Sequence, residues 1–156
     1  DGELGKITFE DAWKKILKTF KKEREIENIF PIWWEKKRWM IDTQKLIRQL
    51  HLHKYHIALF TNNWLGVRDK WLLHNEFTDI INYRFESALE KVSKPNEKFY
   101  MIVEERLHVE KNAIFFIDDS KPNITTAKKR HWQAFHYIIG EDNGKTSNEE
   151  LRKLLL

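Results

Sequence analysis

The chain has 156 residues, 41% hydrophobic and 33% charged, with 5 Gly, 3 Pro and no cysteine. That is enough for one domain with a real core, and it excludes a disordered chain, disulfides, thiolate metal sites and cysteine nucleophiles. No apolar run reaches the ~20 residues of a membrane-spanning helix. The net charge is +4, with 24 acids nearly balancing 28 Lys and Arg. The basic clusters Lys14–Arg24, Lys36–Arg38 and Lys128–Arg130 therefore read as solvated helix faces rather than a nucleic-acid surface. A cytoplasmic location is expected.

In chain order, Thr8 is the expected N-cap of a first helix, with Asp11 placed to complete a capping box. Phe9, Ala12, Trp13, Ile16, Leu17 and Phe20 form its apolar stripe. Ile29–Trp39, with Phe30, Trp33, Trp34 and Trp39 around Pro31, predicts a second short helix packed on the first. Thr43 is the expected cap of a helix running to about His53, with Leu46, Ile47 and Leu50 inward. His56–Thr61 predicts a strand, followed by Asn62-Asn63 and a turn at Gly66. A helix over Val67–His74 and a strand over Ile80–Tyr83 come next. Ser87–Pro95 reads as a polar loop. A helix opens at Pro95 or Asn96, with Phe99, Ile102, Val103 and Leu107 as its stripe. Ile114–Ile117 is apolar throughout and predicts a strand buried on both faces. Pro122–Arg130 reads as a helix, Ala134–Ile139 as a strand and Asn148–Leu155 as a terminal helix.

From Thr43 onward helix and strand alternate, which predicts an α/β fold with an open parallel sheet between helical layers. The expected division is a helical cap region over 1–42 and an α/β core over 43–156. Three polar signals lie after strands or between them: Thr61-Asn62, Lys94 in Ser93-Lys94-Pro95, and Asp118-Asp119. In a parallel sheet these converge at the carboxyl edge, where α/β folds bind ligands. A hydroxyl, a backbone N–H, a cation and paired carboxylates together suit a phosphoryl group and a hard divalent ion, Mg²⁺ in preference to Zn²⁺. Each residue alone has a plainer reading. Thr61 is also a good strand or turn residue, Lys94 a loop lysine, and the acid pair a helix cap with a turn acid. Order and strand context together favour the site. The histidines, His51, His53 and His56 with His131 and His136, lack metal-ligand spacing and read as surface or packing residues.

These motifs resemble those of the haloacid dehalogenase-like hydrolase superfamily, especially its capped phosphatases. His56–Asn62 matches the strand ending in Thr-Asn, Lys94-Pro95 the motif lysine, and Ile114–Asn123 the strand ending in Asp-Asp with a following Asn. Thr61–Leu65 is similar to the corresponding loop in the phosphatase domain of bifunctional epoxide hydrolases. The resemblance implies that Thr61 and the Asn62 backbone N–H hold phosphate oxygens and that Lys94 neutralises the phosphoryl group. It makes Asp119 the direct Mg²⁺ ligand, with Asp118 supporting it, and has Asn123 orient the loop. A small phosphorylated substrate is implied, and a metal-free dehalogenase is disfavoured by the paired acids.

The family's first motif, a central strand ending in Asp-x-Asp, has no counterpart; Asp1–Leu4 echoes only its end. The expectation is that ~15–40 residues of a parent chain, a strand with its connection, are missing and that turnover is weak or absent. The alternatives are a non-catalytic module that keeps the phosphate and metal cradle, and a basic nucleic-acid-binding domain.

Overall fold

The computed structural model describes residues 1–21, 40–67 and 77–156. The helices expected at Ile29–Trp39 and Val67–His74 fall wholly or mainly outside them. Helix α1 (Phe9–Thr19) starts as expected: Thr8 Oγ1 accepts the Asp11 N–H at 3.0 Å and donates to the Asp11 carboxylate at 2.7 Å. Only Leu17 of its stripe is buried; Ile16 and Phe20 are exposed.

Helix α2 (Ile41–Leu52) begins two residues before Thr43, after Met40. Thr43 is therefore not its cap. Its hydroxyl instead meets the Tyr137 hydroxyl at 2.8 Å and donates to the Asn148 side chain at 3.3 Å, a long-range use that local spacing does not reveal. Strand β1 (Ile57–Thr61) pairs in parallel with β2 (Ile81–Glu86), with a bulge after Ile57 where the Asn82 side chain accepts the Ile57 N–H. Ser87–Glu90 closes into one helical turn, α3, where a polar loop was expected, and Ser87, Ala88 and Val92 are buried. Helix α4 (Glu97–Leu107) is capped by Asn96. Strand β3 (Phe115–Asp118), helix α5 (Lys121–Lys129) and strand β4 (Gln133–His136) form a β-α-β unit whose two strands are also parallel. Helix α6 (Lys145–Leu155) follows Gly144, which lies at φ +80° with no room for a Cβ beside the Tyr137 ring.

The described strands form two two-stranded sheets rather than one continuous sheet. Two apolar layers hold them together. On one face Phe60, Phe85 and Phe116 pack with Phe99, Tyr100 and Val103 of α4 and Ile124 and Ala127 of α5. On the other, Ile57, Phe115 and Phe135 pack with Leu46 and Leu50 of α2 and Leu151 of α6. Even residues of β3 and β4 face one layer and odd residues the other, as the pleat requires. The fold is thus α/β, three layers thick, but β1 and β3 are not paired with each other.

Between these two strands lies a cavity of about 460 Å³, lined by both strands and by Leu46, Leu50 and Leu151. This corrects the expectation that Ile114–Ile117 is buried on both faces. Ile114 precedes the strand, only Phe116 is fully buried, and Ile117 is 36% exposed. No described strand comes from the first forty residues; Thr8 and Leu65 make one isolated parallel bridge.

A second tie joins α4 to the segment after α5. The Glu104 carboxylate accepts Arg130 Nε at 2.8 Å, Arg130 Nη2 at 2.6 Å and Trp132 Nε1 at 2.9 Å. Burial pushes the Glu104 carboxyl up, but the bonds from Arg130 and Trp132 outweigh it and hold the group below its ordinary value. Glu104→Gln is expected to cost about 1–3 kcal/mol in urea denaturation at pH 7. Because the folded pKa is depressed, this stabilisation is present above the unfolded glutamate value of about 4.3 and is lost as pH falls through the folded one. The variant's stability should therefore fall less steeply than the parent's over that acid range.

Candidate active site

Lys94 sits at the carboxyl ends of β1 and β3. It is only 9% exposed. Its ammonium donates to the Phe60 carbonyl at 2.7 Å and to Asp118 Oδ2 at 2.7 Å, and lies 4.8 Å from the Phe60 ring centre and 5.3 Å from that of Phe116. A lysine in such a setting is held by its counter-ion and by the ring faces. The backbone is fixed as well. Asn62 Nδ2 donates to the Lys94 carbonyl and Asn62 Oδ1 accepts the Lys94 N–H, both at 2.9 Å. Two of the three ammonium donors are thus engaged by described residues, leaving one for a ligand oxygen.

The two acids at the end of β3 diverge. Asp118 turns inward. Oδ2 accepts Lys94, and Oδ1 accepts the Ser120 N–H at 2.8 Å and Asn123 Nδ2 at 2.9 Å. Its lone pairs are largely spent, so it is not presented as a free metal ligand beside Asp119. Asp119 is exposed, and its carbonyl lies 3.1 Å from His136 Nε2 at the end of β4. Asn123 is buried, and its Nδ2 donates to Asp118 Oδ1.

Thr61 ends β1 in register with Glu86 and is partly buried. The loop after it is pinned by a set that sequence reading missed. Asn63 Nδ2 donates to Glu86 Oε2 at 2.7 Å, the Asn63 N–H donates to Ser87 Oγ at 3.0 Å, and Ser87 Oγ donates back to the Asn63 carbonyl at 3.2 Å. Glu86 and Ser87 are both buried. Tyr100 was missed too. It is fully buried, its hydroxyl donates to the Asn123 carbonyl at 2.9 Å, and burial, with the charge of Asp118 adding to it, pushes that hydroxyl well above the ordinary phenol value. The one sequence signal was its place next to Phe99 in an amphipathic helix.

Among the described residues no three His, Asp or Glu side chains gather as an all-protein metal site. One exposed carboxylate does suit Mg²⁺, which binds through one or two carboxylates and keeps waters and substrate oxygens as its other ligands. Asp119, exposed at the end of β3, is a carboxylate that could serve in this way. Asp1 is exposed and ion-paired with Lys6 at 2.8 Å. Gly2 lies flat against the Trp64 ring, where a Cβ would collide, so residues at the start of the chain cover the loop that follows β1.

Comparison with known proteins identifies the family and the fold. The family model described as haloacid dehalogenase-like hydrolase matches residues 3–137, and the chain belongs to that family. Its fold is similar to that of a HAD family enzyme from Bacteroides thetaiotaomicron solved with magnesium and inorganic phosphate, at TM-score 0.74 and 23% identity over 90% of this chain and 74% of that one. It is also similar to a HAD-like family hydrolase from Porphyromonas gingivalis, at TM-score 0.77 and 19% identity over 99% and 77% of the two chains. A dehalogenase aligns at TM-score 0.75 and 16% identity over 94% and 70%. Among curated proteins none matches the chain.

The divergence of the two acids makes a distinguishing prediction. Asp118→Ala strands the Lys94 ammonium, the Ser120 N–H and the Asn123 amide, and is expected to cost about 3–5 kcal/mol. Asp119→Ala removes an exposed carboxylate and should change stability by no more than about 0.5 kcal/mol. Urea midpoints for the two variants measure this; equal losses would contradict the assignment of the inward acid.

Proposed function

We propose that this hydrolase acts on a small phosphate monoester with Mg²⁺. The observation that carries the reading is the buried Lys94, held between Asp118 and the Phe60 carbonyl at the carboxyl edge, beside the exposed carboxylate of Asp119. In this reading Lys94 gives its remaining N–H to a phosphoryl oxygen, and the Thr61 hydroxyl and the Asn62 N–H receive the others. Charge-assisted bonds of this kind are roughly twice as strong as neutral ones. Asp119 would hold Mg²⁺, which when bound neutralises the phosphoryl oxygens. Asp118 acts through Lys94 rather than on the metal, and Asn123 and Tyr100 keep it in place. The magnesium and phosphate found with the Bacteroides thetaiotaomicron relative support this choice of ligands.

Residues 1–42 would serve as a cap that screens the substrate. In support, Thr8 bridges to Leu65, and the Phe9 and Trp64 rings meet edge to face at 5.8 Å, which ties the start of α1 to the phosphate loop. The reading includes weak turnover by the 156 residues, with phosphate binding retained.

The test is binding of inorganic phosphate and hydrolysis of p-nitrophenyl phosphate, each with and without Mg²⁺. Phosphate affinity should rise with Mg²⁺, and that gain should be lost in Asp119→Ala, by about tenfold or more for a charge-assisted contact. Mg²⁺-dependent phosphate binding with no hydrolysis in any form of the protein would point to a regulatory binding module. Phosphate binding indifferent to both Mg²⁺ and Asp119 would overturn the reading.

A further inference from the structure

Asp119 follows the last residue of β3, and the peptide groups on both sides of it are held by hydrogen bonds. On one side the Asp118 carbonyl accepts the Tyr137 N–H at 2.9 Å, just past the paired residues Asp118 and His136. On the other side the peptide joining Asp119 to Ser120 is held at both ends. Its N–H donates to Asp118 Oδ1 at 2.8 Å, and its carbonyl lies 3.1 Å from His136 Nε2. A carbonyl only accepts, so Nε2 carries the proton and donates it.

Peptide groups are planar. With the plane on each side of the Asp119 Cα held, the direction of its Cα–Cβ bond is set as well. The Asp119 side chain is exposed, so its aim comes from this backbone frame rather than from packing. The segment from β4 onward has no main-chain donor to spare for the Asp119 carbonyl. The Tyr137 N–H is spent on Asp118, and the Ile138 N–H donates to Ser147 Oγ at 2.9 Å. The donor therefore has to be a side chain, and His136, half-buried at the end of β4, supplies it. Two plainer roles account for less. A ring kept only for packing needs no directed bond, and a metal ligand needs a bare nitrogen, whereas Nε2 is already a donor.

We infer that His136 is a positioning residue for the metal-binding arm of the site: its Nε2–H fixes the Asp119–Ser120 peptide and so aims the Asp119 carboxylate. This rests on the phosphatase reading, since only there does Asp119 hold Mg²⁺. His136 touches neither the phosphate nor the ion.

The experiment titrates inorganic phosphate into the full 156-residue chain by calorimetry, with and without Mg²⁺ at one pH. The quantity read is the ratio of the two affinities, so each variant's affinity without Mg²⁺ serves as its own reference. His136→Phe keeps a ring and loses the donor. It should lower the ratio by about three- to tenfold, the worth of one hydrogen bond. His136→Gln places an amide N–H near the position of Nε2 and should restore the ratio to within about twofold. In the Asp119→Ala background His136→Phe should change the ratio no further, because both act through one carboxylate. A full ratio in His136→Phe, with the gain still lost in Asp119→Ala, would sink this inference and leave the phosphatase reading standing. So would Gln behaving like Phe, since the ring and not the N–H would then matter. So would a loss of affinity equal with and without Mg²⁺, which marks a general packing role. A parent chain with no gain from Mg²⁺ would remove the reading itself, and the inference with it.

Discussion

The ion pair between Lys94 and Asp118 is the contact on which the carboxyl edge depends. Both side chains are only 7% exposed, so neither charge is solvated by bulk water. A buried pair of this kind persists only where the remaining donors and acceptors are also met. Here they are: Phe60 supplies a carbonyl to the lysine, and Ser120 and Asn123 supply N–H groups to the carboxylate. The pair therefore joins the end of β1, the loop before α4 and the start of α5. Asn62 and Tyr100 tighten the same knot, one on the backbone of Lys94 and the other on the carbonyl of Asn123. The lysine read as a phosphate partner is also the piece that keeps the two sheets together at one end.

The rest of the cohesion is apolar and comes from outside the sheets. Aromatic rings on β1, β3 and α4 meet edge to face, with Phe60 at 4.5 Å from Phe99 and 5.1 Å from Tyr100. On the opposite face Tyr137, Thr43 and Asn148 share a hydrogen-bond network, and Arg152 pairs with Asp42 at 2.7 Å, so α2 and α6 are locked as one layer. Two helical layers clamped in this way hold the four described strands in α/β order, although no described ladder joins β1 to β3. The cavity beside β1 and β3 leaves β3 incompletely buried.

Much of this was legible because it depends on near neighbours in sequence. The Thr8–Asp11 cap, the Asn96 start of α4, the turn at Gly66 and the parallel alternation after residue 43 all follow from local chemistry and periodicity. The misreadings share a cause. Thr favours caps, yet the partners of Thr43 lie about a hundred residues away. Ser87–Pro95 reads as a polar loop, yet Ser87–Glu90 is helical and Ser87 is buried holding Asn63. Lys94 alone looks like an exposed loop lysine, and only its partners on two separate strands explain its burial.

The sequence by itself determined which residue types would reach the carboxyl edge: a strand ending in Thr-Asn, a lysine before proline, and a strand ending in two acids. It also determined the layer order, because helical and strand periodicities are written in spacing. The division of labour between the two acids was decided only by tertiary structure. Neighbouring residues at a strand end point to opposite sides, and composition is the same whichever way the pleat falls. Pairing of β3 with β4, and the packing of Phe116 on α4 and α5, set that pleat. They send Asp118 inward to Lys94 and leave Asp119 to the solvent.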